Sequence, residues 1–176
     1  MQTDEQLMLD FNGGSTAAFE ELFARYRNPI YGFFRRRLND RARAEELTQE
    51  TFLIVIRKAE RYEPRARFKA YLYGIAVKQL WSERRKDIRD TRMRQEVAQN
   101  TDDRRSHDPD AGLWIRHALD TLDPIHREVL MLREYEQLPY EDIAAILDTP
   151  LNTVRSRLFR ARNELRTALD EQKAPK

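Results

Sequence analysis

Residues 140–162, YEDIAAILDTPLNTVRSRLFRAR, decide the reading of this chain. They divide into a short apolar helix, a tight turn and a second helix studded with arginine. That is the arrangement of a helix-turn-helix whose second helix enters the DNA major groove. Ile143, Ala144 and Leu147 predict an apolar face on the first helix. Asp148, Thr149, Pro150 and Leu151 predict the turn, with the proline forbidding smooth continuation. Asn152 is placed to cap the second helix by accepting from amides of its first turn. Val154, Leu158, Ala161 and Leu165 follow at spacings of four, three and four, which is one buried stripe. Arg155, Ser156, Arg157, Arg160, Arg162 and Arg166 fill the other faces, with Glu164 the only acid against five arginines. A solvated charged face on an ordinary helix is the competing reading. The turn and the lopsided charge favour DNA.

Upstream, helical periods and caps continue. Thr3 is placed to cap a short opening helix that Asn12-Gly13-Gly14 breaks, and Ser15 starts a second with Phe19, Leu22, Phe23 and Tyr26 inward. Asn28-Pro29 predicts a kink or a fresh start there. Ile30, Phe33, Phe34 and Leu38 continue the apolar face to Asn39-Asp40. The next helix is expected from about Ala42 to Arg61, with Ala44, Thr48, Phe52, Val55 and Ala59 inward. Glu46, Gln49, Glu50, Leu53 and Arg57 make a second stripe. A basic, aromatic loop at 62–67 precedes a helix with Phe68, Leu72, Ile75 and Ala76 inward. After Arg94 the periodicity fails: residues 95–110, QEVAQNTDDRRSHDPD, are too polar to bury a core. The pattern resumes from Leu113, and Asp123-Pro124 supplies a cap and a first-turn proline.

The expected fold is therefore all-α, with two small helical domains joined by a flexible linker. The boundaries read 1–94, linker 95–111, 112–170 with the helix-turn-helix, and a disordered tail 171–176. The sixteen polar residues 95–110 stretch to at most about 55 Å, enough for two DNA elements about 50 Å apart.

Composition sets the limits. Net charge is only +2, but base gathers in 84–94 and 155–166 while acid gathers near Glu45, Glu46 and Glu50. Such patches attract phosphate or a basic partner. The chain has no cysteine, so disulfides and thiolate metal sites are excluded. His107, His117 and His126 lack the spacing of a helical ligand pair, and no metal or other cofactor is expected. No apolar run is long enough to span a membrane and the N-terminus is acidic, so membrane insertion is not expected and a cytoplasmic location is. No nucleophile–base set or phosphate loop points to an enzyme.

The strings AEELTQETFLIVIRKAERY (44–62), FKAYLYGIA (68–76) and ERRK (83–86) resemble the second region of bacterial extracytoplasmic-function (group IV) RNA polymerase sigma factors. Residues 118–162 resemble their fourth region. The resemblance implies a dissociable polymerase subunit without a catalytic site, cytoplasmic, initiating transcription at specific promoters in response to a signal. Its first domain would bind the clamp helices of core polymerase through Glu46, Gln49, Glu50 and Leu53. Its loop and helix at 62–85 would meet the melted promoter strand. Stacking and phosphate tracking would there fall to Tyr62, Arg65, Arg67, Lys69, Lys78, Trp81, Arg84 and Arg85, with Phe68 and Tyr73 nearby. Phe68 and Tyr71 have the helical phase of core residues.

The second domain would touch the polymerase flap and read duplex promoter DNA through Asn152, Thr153, Arg155, Ser156, Arg157 and Arg160. An anti-sigma factor is the implied inhibitor. Departures from the family pattern in the first domain are Glu46 where aspartate is common, Thr48 where a small apolar residue is common, Val77-Lys78 in place of an Arg-Asn pair that bears on reading the melted element, and Ser82, near which aspartate is common. In the second they are Asp148 where glycine is common, tolerable because aspartate accepts a left-handed backbone, and Pro139 where a serine cap is frequent. Two other classes stay open on the residues alone: a free-standing dimeric regulator on a palindrome, and a decoy that titrates an inhibitor.

Overall fold

Thr3 opens the first helix as expected, its hydroxyl accepting from the Gln6 amide at 3.2 Å. The structure, a computed structural model, describes residues 2–95 and 113–173, with side-chain surroundings for 2–89 and 115–170. The chain divides into two units, Met1–Ser106 and His107–Lys176. The first holds α1 (Asp4–Asn12), α2 (Thr16–Arg35), α3 (Arg41–Arg57), a 3-10 turn (Ala59–Arg61) and α4 (Phe68–Gln95). The second holds α5 (Leu113–Asp120), α6 (Pro124–Glu134), α7 (Tyr140–Ile146) and α8 (Leu151–Lys173). Among the described residues there is no strand, and no helix is long and apolar enough to cross a membrane. The expected linker, 95–111, lies outside the described residues except for Gln95, which ends α4. Helix α8 runs on to Lys173 into the expected tail, and 174–176 lie outside the description.

Helix α2 does not restart at Pro29. It is one helix from Thr16 to Arg35 with the proline inside it. A helix-interior proline removes one backbone bond. The cost is offset because Leu22, Ile30, Phe33 and Phe34, on both sides of it, are buried in one core. Phe33 packs edge-on against Tyr73 of α4 at 5.7 Å between ring centroids.

Helix α3 buries the expected stripe of Ala44, Thr48, Phe52 and Val55, and Ala59 is buried just beyond it. Asp40 caps it, accepting from the Arg43 amide at 3.1 Å. Thr48 and Thr51 are buried too, each donating its hydroxyl to the carbonyl four residues back, Ala44 and Leu47, at 2.7 Å. Helix α4 packs against α1, α2 and α3. It therefore buries Tyr73, Val77 and Leu80 as well as the expected Phe68, Leu72, Ile75 and Ala76.

In the second unit Asp123 caps α6 behind Pro124, accepting from the amides of Ile125 and His126 at 2.9 and 3.2 Å. Those bonds hold its carboxyl below the usual carboxylate range. Helix α7 starts at Pro139 without a side-chain cap bond. It ends in a left-handed residue, Asp148 at φ 47°. The Thr149 amide reaches back to the Ala144 carbonyl at 2.9 Å and the Asp148 amide to Ala145 at 3.4 Å, which is the Schellman closure.

Candidate nucleic-acid interface

Helix α8 begins at Leu151, one residue before the expected cap. Pro150 supplies the carbonyl for the amides of Thr153 and Val154 at 2.9 and 3.1 Å. Asn152 thus lies in the first turn rather than at the cap, and its Oδ1 accepts from Arg155 Nη1 at 3.2 Å. The reason is the Schellman turn, which delivers the chain to Pro150 already in position to start a helix. Val154, Leu158 and Ala161 are buried as expected, and Leu165 is half-buried. Ile143 of α7 is buried, with Ala144 and Leu147 half-buried. Ile146 is buried as well.

The outward face of α8 carries Asn152, Arg155, Ser156 and Arg160, all exposed. Thr153 is half-buried and its carbonyl accepts the Ser156 hydroxyl at 3.0 Å. Arg157 sits at the seam, half-buried, donating to Thr149 Oγ1 in the turn at 3.4 Å. Arg162 points instead at Glu134 of α6, 2.8 Å away, which raises the guanidinium pKa. Phe159, 68% exposed, shares the outward face with Asn152 and Ser156 and was not among the residues expected there. Residues 152, 156, 159 and 163 repeat at four, three and four, opposite the buried stripe, and that phase could have found it.

In the first unit the expected stripe on α3 is a surface. Leu53 is 47% exposed, Ile56 adds a second exposed apolar side chain, and Glu46 and Gln49 are exposed. Glu50 is partly covered. Arg43, unforeseen in sequence, organises the carboxylates. Its Nη1 donates to Glu46 at 2.7 Å and to Glu50 at 3.3 Å, while Nε and Nη2 grip both oxygens of Glu83 on α4. Glu50 also accepts from Gln79 at 3.3 Å. Lys86 stands 3.9 Å from Glu83 as well, so two cations meet three carboxylates and the cluster stays acidic.

The strand-facing set divides. Tyr62 is buried, packed edge-on against Phe68 and Tyr71 at 6.2 and 5.2 Å, so its ring faces are not available for stacking. Tyr73 is buried against Phe33 and is likewise core. Burial pushes the Tyr62 hydroxyl up to about 12, with Glu5 nearby adding to it. Phe68 is buried and Tyr71 half-buried, as their phase indicated. Arg65 and Arg67 are exposed on the loop. On α4, Lys78 and Arg85 are exposed and Trp81 half-buried, and the spacing of three and four puts them on one side of the helix. Arg84 is half-buried. Lys69 is half-buried near the Tyr73 ring and lies about half a turn round the helix from Lys78. The structure thus brings together Lys78, Trp81 and Arg85, with Lys69 apart.

Comparison with known proteins follows the same two-part division. Residues 22–89 match the family described as Sigma-70 region 2, and residues 112–165 the one described as Sigma-70, region 4. The chain is 34% identical over 168 residues to the RNA polymerase sigma factor CarQ of Myxococcus xanthus, covering 92% of this chain and 94% of that protein. It is 33% identical over 175 residues to the ECF RNA polymerase sigma-E factor of Haemophilus influenzae, covering 91% and 92%. Among solved structures it is similar to the sigma factor RpoE of Bartonella quintana, seen in complex with the anti-sigma factor NepR. The TM-score is 0.71 at 26% identity, covering 86% of this chain and 96% of that one.

Proposed function

This chain belongs to the sigma-70 family of RNA polymerase sigma factors, and on that premise we propose that it is an extracytoplasmic-function, group IV member acting in the cytoplasm. As a sigma factor it works by binding: it directs core polymerase to promoters for initiation and is not an enzyme. The observation that supports the finer reading is the match to regions 2 and 4, in order, beside 33% identity to a relative named an ECF RNA polymerase sigma-E factor.

The α3 face of Glu46, Gln49, Glu50 and Leu53 docks on the clamp helices of the core. Its unbalanced negative charge and exposed leucine suit a basic, partly apolar helical partner. Arg65, Arg67, Lys78, Trp81 and Arg85 track the melted strand, with Lys69 and Arg84 at the margins of that surface. The outward face of α8 reads the distal element: Asn152, Arg155, Ser156 and Arg160 address base edges, while Thr153 and Arg157 lie closer to the phosphates. The second domain also meets the polymerase flap.

The flanks of the linker reading, 1–94 and 112–170, are the units these contacts need. An anti-sigma factor that covers both polymerase-binding surfaces keeps the free subunit silent. The similar protein from Bartonella quintana is seen in complex with the anti-sigma factor NepR.

Run-off transcription with purified core polymerase, followed by sequencing of the start sites, tests this. Initiation at a defined set of promoters is expected. A folded subunit that binds a palindrome as a dimer and never supports initiation would overturn it.

A further inference from the structure

The segment between Tyr62 and Phe68 is an exposed span on two buried anchors. Glu63, Pro64, Arg65, Ala66 and Arg67 are all exposed, whereas Tyr62 and Phe68 are buried and their rings pack together. The first amides of a helix have no partner within it. Residues just before Phe68 are Arg65, Ala66 and Arg67, and none has a side chain able to accept a hydrogen bond. The acceptor comes from a distant part of the sequence. Glu5 Oε1 of α1 takes the Phe68 amide at 2.7 Å, across 63 residues of sequence. A carboxylate there also complements the positive end of α4.

The support behind Glu5 is firm. Thr3 caps α1, and Asp4 beside it accepts from both Arg25 and the Tyr26 hydroxyl of α2. The Tyr26 ring stands edge-on to Phe68 at 5.6 Å between centroids. Helix α1 packs against both the 3-10 turn that ends in Arg61 and α4, so it holds the span at both ends.

We propose that Glu5 is a positioning residue for the strand-reading segment 63–67, so that the first helix of the chain takes part in base recognition without touching DNA. This rests on the reading of 62–85 as the surface that meets the melted strand. A base drawn out of its stack is recognised only by a wall held in place. The bond from Glu5 fixes where that wall ends and where Arg67 leaves it.

The test uses holoenzyme made with the full chain and promoter templates opened in advance at the upstream bubble edge. Each base along that edge is substituted in turn, and discrimination is the ratio of initiation rates between the preferred base and the others. Glu5→Ala should lower discrimination about tenfold, the scale of one charge-assisted hydrogen bond. Glu5→Gln, whose amide oxygen still accepts but without the charge, should lose only about threefold on the same bond scale. Glu5→Asp keeps the charge but shortens the reach by a methylene. It should lose discrimination as Glu5→Ala does, and it replaces that variant if the alanine chain does not fold. Core affinity and binding of the distal duplex element should not change.

Equal losses on every template, with discrimination intact, would mean a merely structural role and overturn the proposal. So would Glu5→Gln failing as badly as Glu5→Ala. A wild-type holoenzyme that initiates but shows no base preference at the bubble edge overturns the strand-reading assignment first, and the role of Glu5 with it.

Discussion

Arg43 of α3 holds Glu83 of α4 by two parallel hydrogen bonds, Nε to Oε1 at 2.6 Å and Nη2 to Oε2 at 2.8 Å. The same guanidinium reaches Glu46 and Glu50, two of the residues assigned to the polymerase-docking face. Glu83 follows Trp81 and precedes Arg84 and Arg85 on α4. One side chain thus ties the docking face to the helix assigned to the melted strand.

The pair should show itself in acid. Hydrogen bonds from Arg43 hold the Glu83 carboxyl below its ordinary value, against the opposing pull of burial. A depressed carboxyl pKa contributes stability that is fully present above the unfolded value, about 4.3, and is lost as pH falls through the folded value. Wild type should therefore lose stability relative to Glu83→Gln as pH falls through and below the unfolded value. Urea titrations across that range check the sign. At neutral pH Arg43→Met should cost about 1–3 kcal/mol, because it removes both hydrogen bonds from Glu83, only 13% exposed, and leaves it the more distant Lys86 at 3.9 Å as its cation.

Docking separates from stability at Leu53. Its side chain is 47% exposed, so Leu53→Asp should change stability by no more than about 0.5 kcal/mol. It should weaken core polymerase binding more than about tenfold if Leu53 is an interface anchor. Fluorescence anisotropy of the labelled subunit against core enzyme reads this directly. Unchanged affinity would remove Leu53 from the docking face.

On α8 the base-reading and phosphate-holding arginines should behave differently. Arg155→Ala should cost about 1–3 kcal/mol at the preferred distal element and relax selectivity at one position. Arg157→Ala should weaken all sequences alike and reduce the salt slope by about one unit. Phe159→Ala, at a side chain 68% exposed, should leave the fold intact and weaken elements that present a thymine methyl there. Holoenzyme footprinting on a panel of distal elements distinguishes the three.

The turn of the helix-turn-helix offers a gain. Asp148 stands at φ 47°, where glycine carries no side-chain penalty. Asp148→Gly should stabilise the second unit by about 0.5–1 kcal/mol, and Asp148→Val should destabilise it by more. Hydrogen exchange at the Thr149 amide, which closes the turn onto Ala144, reports the change locally.

What could be read from sequence was local. Thr3, Ser15 and Asp123 cap helices through bonds to amides two or three residues on, and each occupies its expected place. The stripes through Phe52 and Leu158 and the left-handed Asp148 follow from the same short-range geometry. What could not be read depends on partners far along the chain. Tyr62 stands in a basic loop string and Tyr73 outside the inward stripe of Phe68, Leu72, Ile75 and Ala76, yet packing against Tyr71 and Phe33 buries them. Glu5 with Phe68 and Arg43 with Glu83 pair across 63 and 40 residues, where no periodicity points. Asn152 and Pro29 differ from these: residue preferences named a cap at one and a kink or a fresh start at the other, and the structure has neither that cap nor the fresh start.

Thr48 and Thr51 turn their hydroxyls inward to the carbonyls of Ala44 and Leu47, beneath the face that bears Glu46 and Leu53. A kinase would have to peel α3 away from its neighbours before either oxygen could meet ATP. The acidic surface above them is therefore a permanent fixture, set at synthesis and not adjustable by a phosphate at these two positions.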